Sequence, residues 1–332
     1  MEITGMGKYK VLYTDTGMED VEIEKRVLDR GEAVLVMATA IDQETLIREG
    51  MDCDGVMIEY ANINKEILDA WGEGGKVRVV ARQGIGVNNI DVEAASRNGI
   101  MVANVPDYCL DEVADHTMAL TLSLAREIFS YQKRVREGNY SEVPVRTIHR
   151  LWNQKFCLYG FGNIGKFVAC RAKAFGFQVY AYDPYAGDKE FETYEVERVE
   201  SLMELAGMAD FLSIHVPLNE TTKASVNQKI FQAMKPTAFI INTSRGPVIR
   251  EQDLIAALEN RQIYGAGLDV LETEPPSPEN PLLKMDNVII TPHASWCSWE
   301  ADVELREKMA ENVILTFTEG QPRGFVNRSA FK

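Results

Sequence analysis

Arg245, Glu274 and His293 each follow a short apolar run: AFIINTS, GAGLDVLET and NVIITP, respectively. In an open α/β sheet, ligands bind beyond the carboxyl ends of the strands. A guanidinium, a carboxylate and an imidazole placed there can converge on one bound molecule. The guanidinium grips a carboxylate in a bidentate fork and polarises a neighbouring carbonyl. An imidazolium gives a proton to a keto oxygen as hydride arrives, and the neutral ring takes it back in the reverse direction. A carboxylate bonded to the ring favours its charged form. The set suits reversible hydride transfer at the α carbon of a 2-oxo acid. Taken singly, each residue has an ordinary reading: Arg245 as partner of a surface acid, Glu274 as a solvated loop residue, His293 as the approach to a helix.

Hydride chemistry needs a carrier, and a second motif provides for one. Gly160-Phe161-Gly162-Asn163-Ile164-Gly165 follows the run FCLY and opens the helical pattern KFVACRAKAF. Glycine at 160 permits a tight turn, at 162 it lets backbone approach a pyrophosphate, and at 165 it lets the helix lie close on the sheet. The helix N-terminus supplies unsatisfied N–H groups to the phosphates. The next strand-like run, FQVYAYD, ends in Asp183, 18 residues after Gly165, where a carboxylate accepts from both adenosine ribose hydroxyls. That carboxylate repels a 2′-phosphate and no arginine immediately follows it, so NAD is expected rather than NADP.

The elements that must position these groups are legible as alternation. Strand-length apolar runs at 9–15, 33–38, 55–59, 76–82 and 100–105 are separated by helical stretches, and a second series runs at 156–160, 177–183, 209–216, 237–243, 265–270 and 287–291. This is the pattern of parallel sheets covered on both faces. Between the series, 111–138 reads as one long helix capped by Asp111 and closed by Gly138. A charged helix at about 299–318 closes the chain and is able to complete the first domain. With 332 residues, 45% hydrophobic and 26% charged, two domains are expected.

The formal charge of −15 makes nucleic acid or an anionic membrane a poor partner. No stretch has the length or apolarity of a leader or a membrane span, and MEITGMGKYKVLYTD lacks an apolar core. The five cysteines, Cys53, Cys109, Cys157, Cys170 and Cys297, are scattered and show no metal-ligand spacing, so they read as reduced thiols in a cytoplasmic protein without a metal.

Over nearly its whole length the chain resembles the D-isomer-specific 2-hydroxyacid dehydrogenases. The blocks that carry the likeness are GIGVNNIDVEAASRNGIMVANVP (84–106), EVADHTMALTLSLAR (112–126), YGFGNIG (159–165), INTSRGPVI (241–249), GAGLDVLETEP (265–275) and TPHAS (291–295). The resemblance implies two Rossmann-like doubly wound domains with substrate and NAD in the cleft between them. The first, 1–106 with 299–332, is discontinuous and binds substrate; the second, 107–298, binds NAD. It implies that Arg245 binds the substrate carboxylate, His293 is the acid/base and Glu274 orients and charges it. Asp269 would sit near the nicotinamide, backbone N–H groups at Ile85 and Gly86 would hold the carboxylate opposite Arg245, Val216 and Pro217 of the HVPLN loop would lie beside the adenine, and Thr243 and Ser244 by the nicotinamide ribose. His116, His149 and His215 then read as structural.

Where the chain departs from the family's pattern, Asn153 and Cys157 stand near the start of the glycine-loop strand in place of small residues, and Tyr159 replaces an aliphatic residue. HASWCSWEA is similar to the C-terminal binding protein branch, which places Trp296 beside the substrate side chain; the other reading is an aromatic packed under the last helix. Met57, Glu59, Tyr60 and Tyr108 join it as pocket candidates. An acidic Glu59 disfavours phosphorylated or dicarboxylic substrates, leaving aliphatic, thioether or hydroxylated 2-oxo acids. The expected activity is NAD-dependent 2-oxo-acid reduction by a homodimer. The alternatives are an NADH-gated binding protein like the corepressor relatives and a relative that oxidises phosphite.

Overall fold

The alternating runs fold into two parallel sheets. The computed structural model describes residues 7–144 and 146–331, so the N-terminal residues 1–6 discussed above lie outside the described residues. The chain forms two compact units: one made of the residues up to Tyr108 together with those from Ser298 onward, the other Cys109–Cys297.

The first unit holds β1 (Tyr9–Tyr13), α1 (Glu22–Arg30), β2 (Ala33–Met37), α2 (Gln43–Gly50), β3 (Gly55–Ile58), α3 (Lys65–Gly74), β4 (Val79–Arg82), α4 (Val92–Arg97) and β5 (Met101–Ala103). Its strands lie in the order β2-β1-β3-β4-β5, all parallel. Leu12, Val56, Ile58, Val80 and Val102 point to one face and bury against Leu46, Ile67, Leu68 and Trp71 of α2 and α3. The last long helix, Trp299–Thr318, belongs to this unit. It is fixed to α1 by the buried Arg306, whose Nε and Nη2 each lie 2.8 Å from the fully buried carboxylate of Glu24. Losing either partner strands a buried charge, which costs about 3–5 kcal/mol.

The second unit contains α5 (Leu110–Ala125), α6 (Ile128–Arg136), β6 (Lys155–Tyr159), α7 (Asn163–Ala174), β7 (Gln178–Tyr182), α8 (Asp188–Tyr194), β8 (Glu197–Arg198), α9 (Leu202–Met208), β9 (Phe211–Ile214), α10 (Gln228–Ala233), β10 (Phe239–Asn242), α11 (Glu251–Glu259), β11 (Gly265–Leu268) and β12 (Val288–Ile290). The order is β12-β11-β10-β9-β6-β7-β8, which reverses direction at β6 and β9. Side chains alternate between two cores. Phe156, Leu158, Phe239 and Ile241 pack on the face that carries α5 and α7, while Cys157, Tyr159, Leu212 and Ile240 pack on the other. This is the doubly wound arrangement the runs predict.

Two local expectations need correction. The stretch 111–138 is two helices, not one. Glu127 turns left-handed at φ 54°, its carboxylate 3.1 Å from Arg146, and Arg146 donates at 2.8 Å to the Leu124 carbonyl that a continuing helix would use. Arg146 in turn lies over the rings of Phe239 and Tyr264. The N-cap is Cys109; Asp111 lies inside the first turn and pairs with Arg171 at 2.6 Å. The helix now numbered α12, Trp299–Thr318, matches the terminal helix read from the sequence.

Candidate functional site

The glycine loop sits where the strand order reverses, the place at which such sheets bind ligands. Gly160 has φ +101°, and a Cβ there would lie 2.7 Å from the carbonyl carbon and oxygen of His215, so the turns after β6 and β9 are in backbone contact. A Cβ on Gly165 would meet the Gly160 carbonyl at 2.6 Å, which fixes the close seating of α7. Gly162 differs: a Cβ there would meet only open space, so no protein neighbour demands glycine. It is the exposed N-cap of α7 and makes no side-chain cap bond, and Asn163 beside it is exposed while Ile164 is half-buried. An uncapped helix start with a bare backbone in front of it fits a pyrophosphate.

Asp183 is half-buried at the end of β7. Its Oδ2 accepts the Phe161 N–H at 2.7 Å and its Oδ1 the Tyr185 and Ala186 N–H groups at 2.8 and 3.3 Å, so the carboxylate is fixed to the glycine loop with accepting capacity left on Oδ2 for a ribose hydroxyl. Val216 is buried and Pro217 exposed just beyond β9.

Beyond the ends of the adjacent strands β10, β11 and β12 lie the three ionisable residues, joined by a continuous chain of contacts. Arg245 donates from Nη1 to the Ser244 carbonyl at 2.6 Å, and its neighbour Gly246 is packed so tightly on Leu271 that a Cβ would stand 1.8 Å from that carbonyl oxygen. The Leu271 N–H donates to Glu274 Oε1 at 2.9 Å, and Glu274 Oε2 lies 2.7 Å from His293 Nδ1. His293 is exposed at its side chain by 43%, which leaves Nε2 available to a ligand. Its backbone is left-handed at φ 55°.

Asp269 holds that conformation. Its side chain is fully buried and accepts from Thr291 Oγ1 at 2.5 Å and from the Ala294 and Ser295 N–H groups at 2.9 Å each, while its carbonyl accepts the His293 N–H at 2.8 Å. Thr243 is buried, its hydroxyl 2.9 Å from that of Thr117 on α5. Ser244 donates from its amide and its hydroxyl to Asn242 Oδ1, both at 3.0 Å, and Asn242 Nδ2 donates to the Arg245 carbonyl at 3.0 Å. Asn242 and Thr291 escaped the sequence reading. A polar amide ending an apolar strand and a threonine two residues before a histidine were the available signals.

In the first unit, Ile85 and Gly86 are half-buried just after Gly84, whose φ of +136° and contact with Arg82 exclude a side chain. Tyr108 is buried, Tyr60 is 70% exposed, and Glu59 is buried with Oε2 accepting the Gly17 N–H at 2.7 Å. Met57 is fully buried in the sheet. Trp296 of the second unit is half-buried. None of the five cysteines is in a disulfide, and no cluster able to hold a metal occurs among the described residues. No helix among the described residues is long and apolar enough to cross a membrane.

Residues 118–295 match the family described as D-isomer specific 2-hydroxyacid dehydrogenase, NAD binding domain. The chain is 37% identical over 318 residues to the D-3-phosphoglycerate dehydrogenase of Methanocaldococcus jannaschii, covering 92% of this chain but only 59% of that longer relative. It is 36% identical over 295 residues to the glyoxylate reductase of Korarchaeum cryptofilum, covering 87% of each. Of solved structures, the D-lactate dehydrogenase of Aquifex aeolicus complexed with NAD and lactic acid is similar at a TM-score of 0.82 and 28% identity, over 93% of this chain and 96% of that one. The NADPH-dependent glyoxylate/hydroxypyruvate reductase of Sinorhizobium meliloti, in complex with NADP and malonate, is similar at 0.85 and 27%, over 97% and 98%. One of these structures thus holds NAD and the other NADP, and these relatives are named as dehydrogenases or reductases.

Proposed function

This chain belongs to the D-isomer-specific 2-hydroxyacid dehydrogenase family, and we propose that it is an NAD-dependent reductase of small 2-oxo acids, reversible with the corresponding 2-hydroxy acids. The observation that carries the reading is the 2.7 Å pair of Glu274 and His293, beyond β11 and β12, in the sheet whose strand β10 precedes Arg245 and whose β6 bears the glycine loop. Arg245 takes the substrate carboxylate. His293 holds a proton at Nε2 and delivers it to the keto oxygen, while Glu274 at Nδ1 fixes the ring's tautomer and favours its charged form. Bound NADH supplies the hydride. In the first unit, the Ile85 and Gly86 amides are assigned to the substrate carboxylate, and Tyr108 is assigned with Trp296 to the substrate side chain.

Gly160, Gly162, Asn163, Ile164 and Gly165 are assigned to the pyrophosphate, Asp183 to the adenosine ribose, Val216 and Pro217 to the adenine, and Thr243, Ser244 and Asp269 to the nicotinamide end. The negative charge of Asp183 favours NAD over NADP. Residues 1–106 with 299–332 serve the substrate and 107–298 the cofactor. We place the protein in the cytoplasm as a homodimer, with neither nucleic acid nor membrane as partner. Ile128, Phe129 and Val135 on α6, exposed by 53%, 57% and 45%, are the apolar surface that supports a dimer.

The test is a panel of 2-oxo acids, from glyoxylate and hydroxypyruvate to branched aliphatic ones, with NADH and NADPH side by side. Turnover of at least one acid, faster with NADH, is expected. Tight NADH binding with no turnover of any acid overturns the reading.

A further inference from the structure

We propose that His116, on α5, is a positioning residue for the acid/base histidine, acting through Thr291 and Asp269; this rests on the proposed role of His293. His116 Nε2 lies 2.9 Å from Thr291 Oγ1, which itself lies 2.5 Å from Asp269 Oδ1. A hydroxyl has one proton, and the carboxylate takes it. The contact with His116 is therefore Nε2–H donating to the Thr291 oxygen, which fixes the His116 tautomer. The chain of donors runs from His116 to Thr291 to Asp269, with His116 Nε2 only 3.7 Å from the same carboxylate oxygen.

That carboxylate anchors the turn bearing His293. It binds the amides of Ala294 and Ser295, and the Asp269 carbonyl binds that of His293. The turn needs the anchor because His293 sits in the left-handed region, an unfavourable place for a side chain. The next residue of α5 does the same for the other loop: Thr117 donates to the Val113 carbonyl at 2.7 Å, so the bond to Thr243 is donated by Thr243, two residues before Arg245. Adjacent residues on one rigid helix thus hold the loops beyond β10 and β12, which flank β11 and carry the guanidinium and the imidazole. Small displacements of a proton donor lower rates steeply, so removing the His116 donor mis-sets His293 without removing any group that touches substrate.

The experiment compares His116→Leu with His116→Gln, whose amide nitrogen can stand where Nε2 stands. With the best 2-oxo acid of the panel, H116L is expected to lose roughly tenfold or more in kcat while KM for NADH stays within about twofold, and to show a larger isotope effect with deuterated NADH. H116Q is expected to recover most of the loss. Thr291→Val is expected to reproduce the H116L defect and Thr291→Ser to avoid it, and the H116L/T291V double variant is expected to be no worse than either single one, as for residues acting in one chain. If H116L does not fold, the Thr291 pair carries the comparison. Wild-type kcat in H116L, equal impairment of the Leu and Gln variants, or additive losses in the double variant would each overturn the proposal. His293→Ala is run in parallel: if it retains turnover, the acid/base assignment itself falls, whereas an inactive H293A beside a fully active H116L removes only the role of His116.

Discussion

Both oxygens of the Glu274 carboxylate are held, one by His293 Nδ1 at 2.7 Å and the other by the Leu271 N–H at 2.9 Å, so a single side chain joins the loop beyond β11 to the one beyond β12. Burial works against its ionisation. The hydrogen bond from His293, the Leu271 amide and the charge of a protonated His293 outweigh it and hold the carboxyl below its ordinary value of 4.5. The sign follows: a depressed carboxyl contributes stability that is full above the ordinary value and is lost as pH falls through the depressed one. The Glu274 carboxylate is therefore ionised across the neutral range, and its contribution is lost only in acid.

Glu274→Gln keeps the shape and removes the charge. Without the carboxylate the ring loses its charged partner at Nδ1 and is held less firmly for donation from Nε2. At neutral pH the rate is expected to drop by roughly tenfold to a hundredfold. Steady-state kinetics of the folded variant at neutral pH check this, and a wild-type kcat/KM would remove Glu274 from its assigned role.

The glycines of the loop after β6 make a paired prediction, because one is demanded by the protein and another is not. Gly160→Ala forces a Cβ to 2.7 Å from the His215 backbone at a left-handed φ, with an expected loss of about 2–4 kcal/mol. Gly162→Ala meets no protein atom, so stability should change by no more than about 1 kcal/mol at this N-cap position, while NADH affinity falls because the added methyl occupies the approach of the pyrophosphate. Denaturant melts and NADH titrations of the two variants separate the effects; equal destabilisation of both would contradict the geometry.

Much of this was legible from periodicity and spacing. The runs FCLY, AFIIN and NVII fall within one residue of β6, β10 and β12, because strands buried on both faces read as uninterrupted apolar stretches. Arg245, Glu274 and His293 were legible for the same reason, each following such a run by a few residues. The break at Glu127 was not. It depends on Arg146, nineteen residues later in sequence, reaching back to cap α5 and pair with Glu127, and no local propensity signals a partner that distant. The same limit hid the anchoring work of Asp269: its chain neighbours suggest a strand end, whereas its bonds go to residues 291, 294 and 295.

His215, just past β9, gives a test of stability against pH. Its ring is enclosed although the residue as a whole is half-buried, with Nε2 2.8 Å from Ser213 Oγ, and burial lowers its affinity for protons below the ordinary 6.5. Below that value the unfolded chain binds a proton that the folded chain refuses, so stability declines as pH falls from 6.5 toward the lowered value. His215→Gln removes the titrating ring and is expected to flatten this decline. Melting temperatures measured from neutral to moderately acidic pH decide it; identical slopes for wild type and variant would show that His215 does not titrate as described.

The proposed preference for NAD rests on Asp183. Its carboxylate is held by Phe161 and Tyr185 in a fixed place at the end of β7, and a 2′-phosphate brought there would meet a like charge with no basic residue among the next three to offset it. Asp183→Asn keeps an oxygen for the Phe161 N–H and removes the charge. The ratio of kcat/KM with NADPH to that with NADH is expected to rise by roughly tenfold, equivalent to about 1.4 kcal/mol, mostly through KM for NADPH. Folding is expected to be retained, since the bond from the Phe161 N–H survives of the three that the carboxylate accepts. Steady-state kinetics with both cofactors at fixed 2-oxo acid measure the ratio. An unchanged ratio in a folded D183N, or a wild-type enzyme that already uses both cofactors equally, would show that the selection is made elsewhere in the second unit.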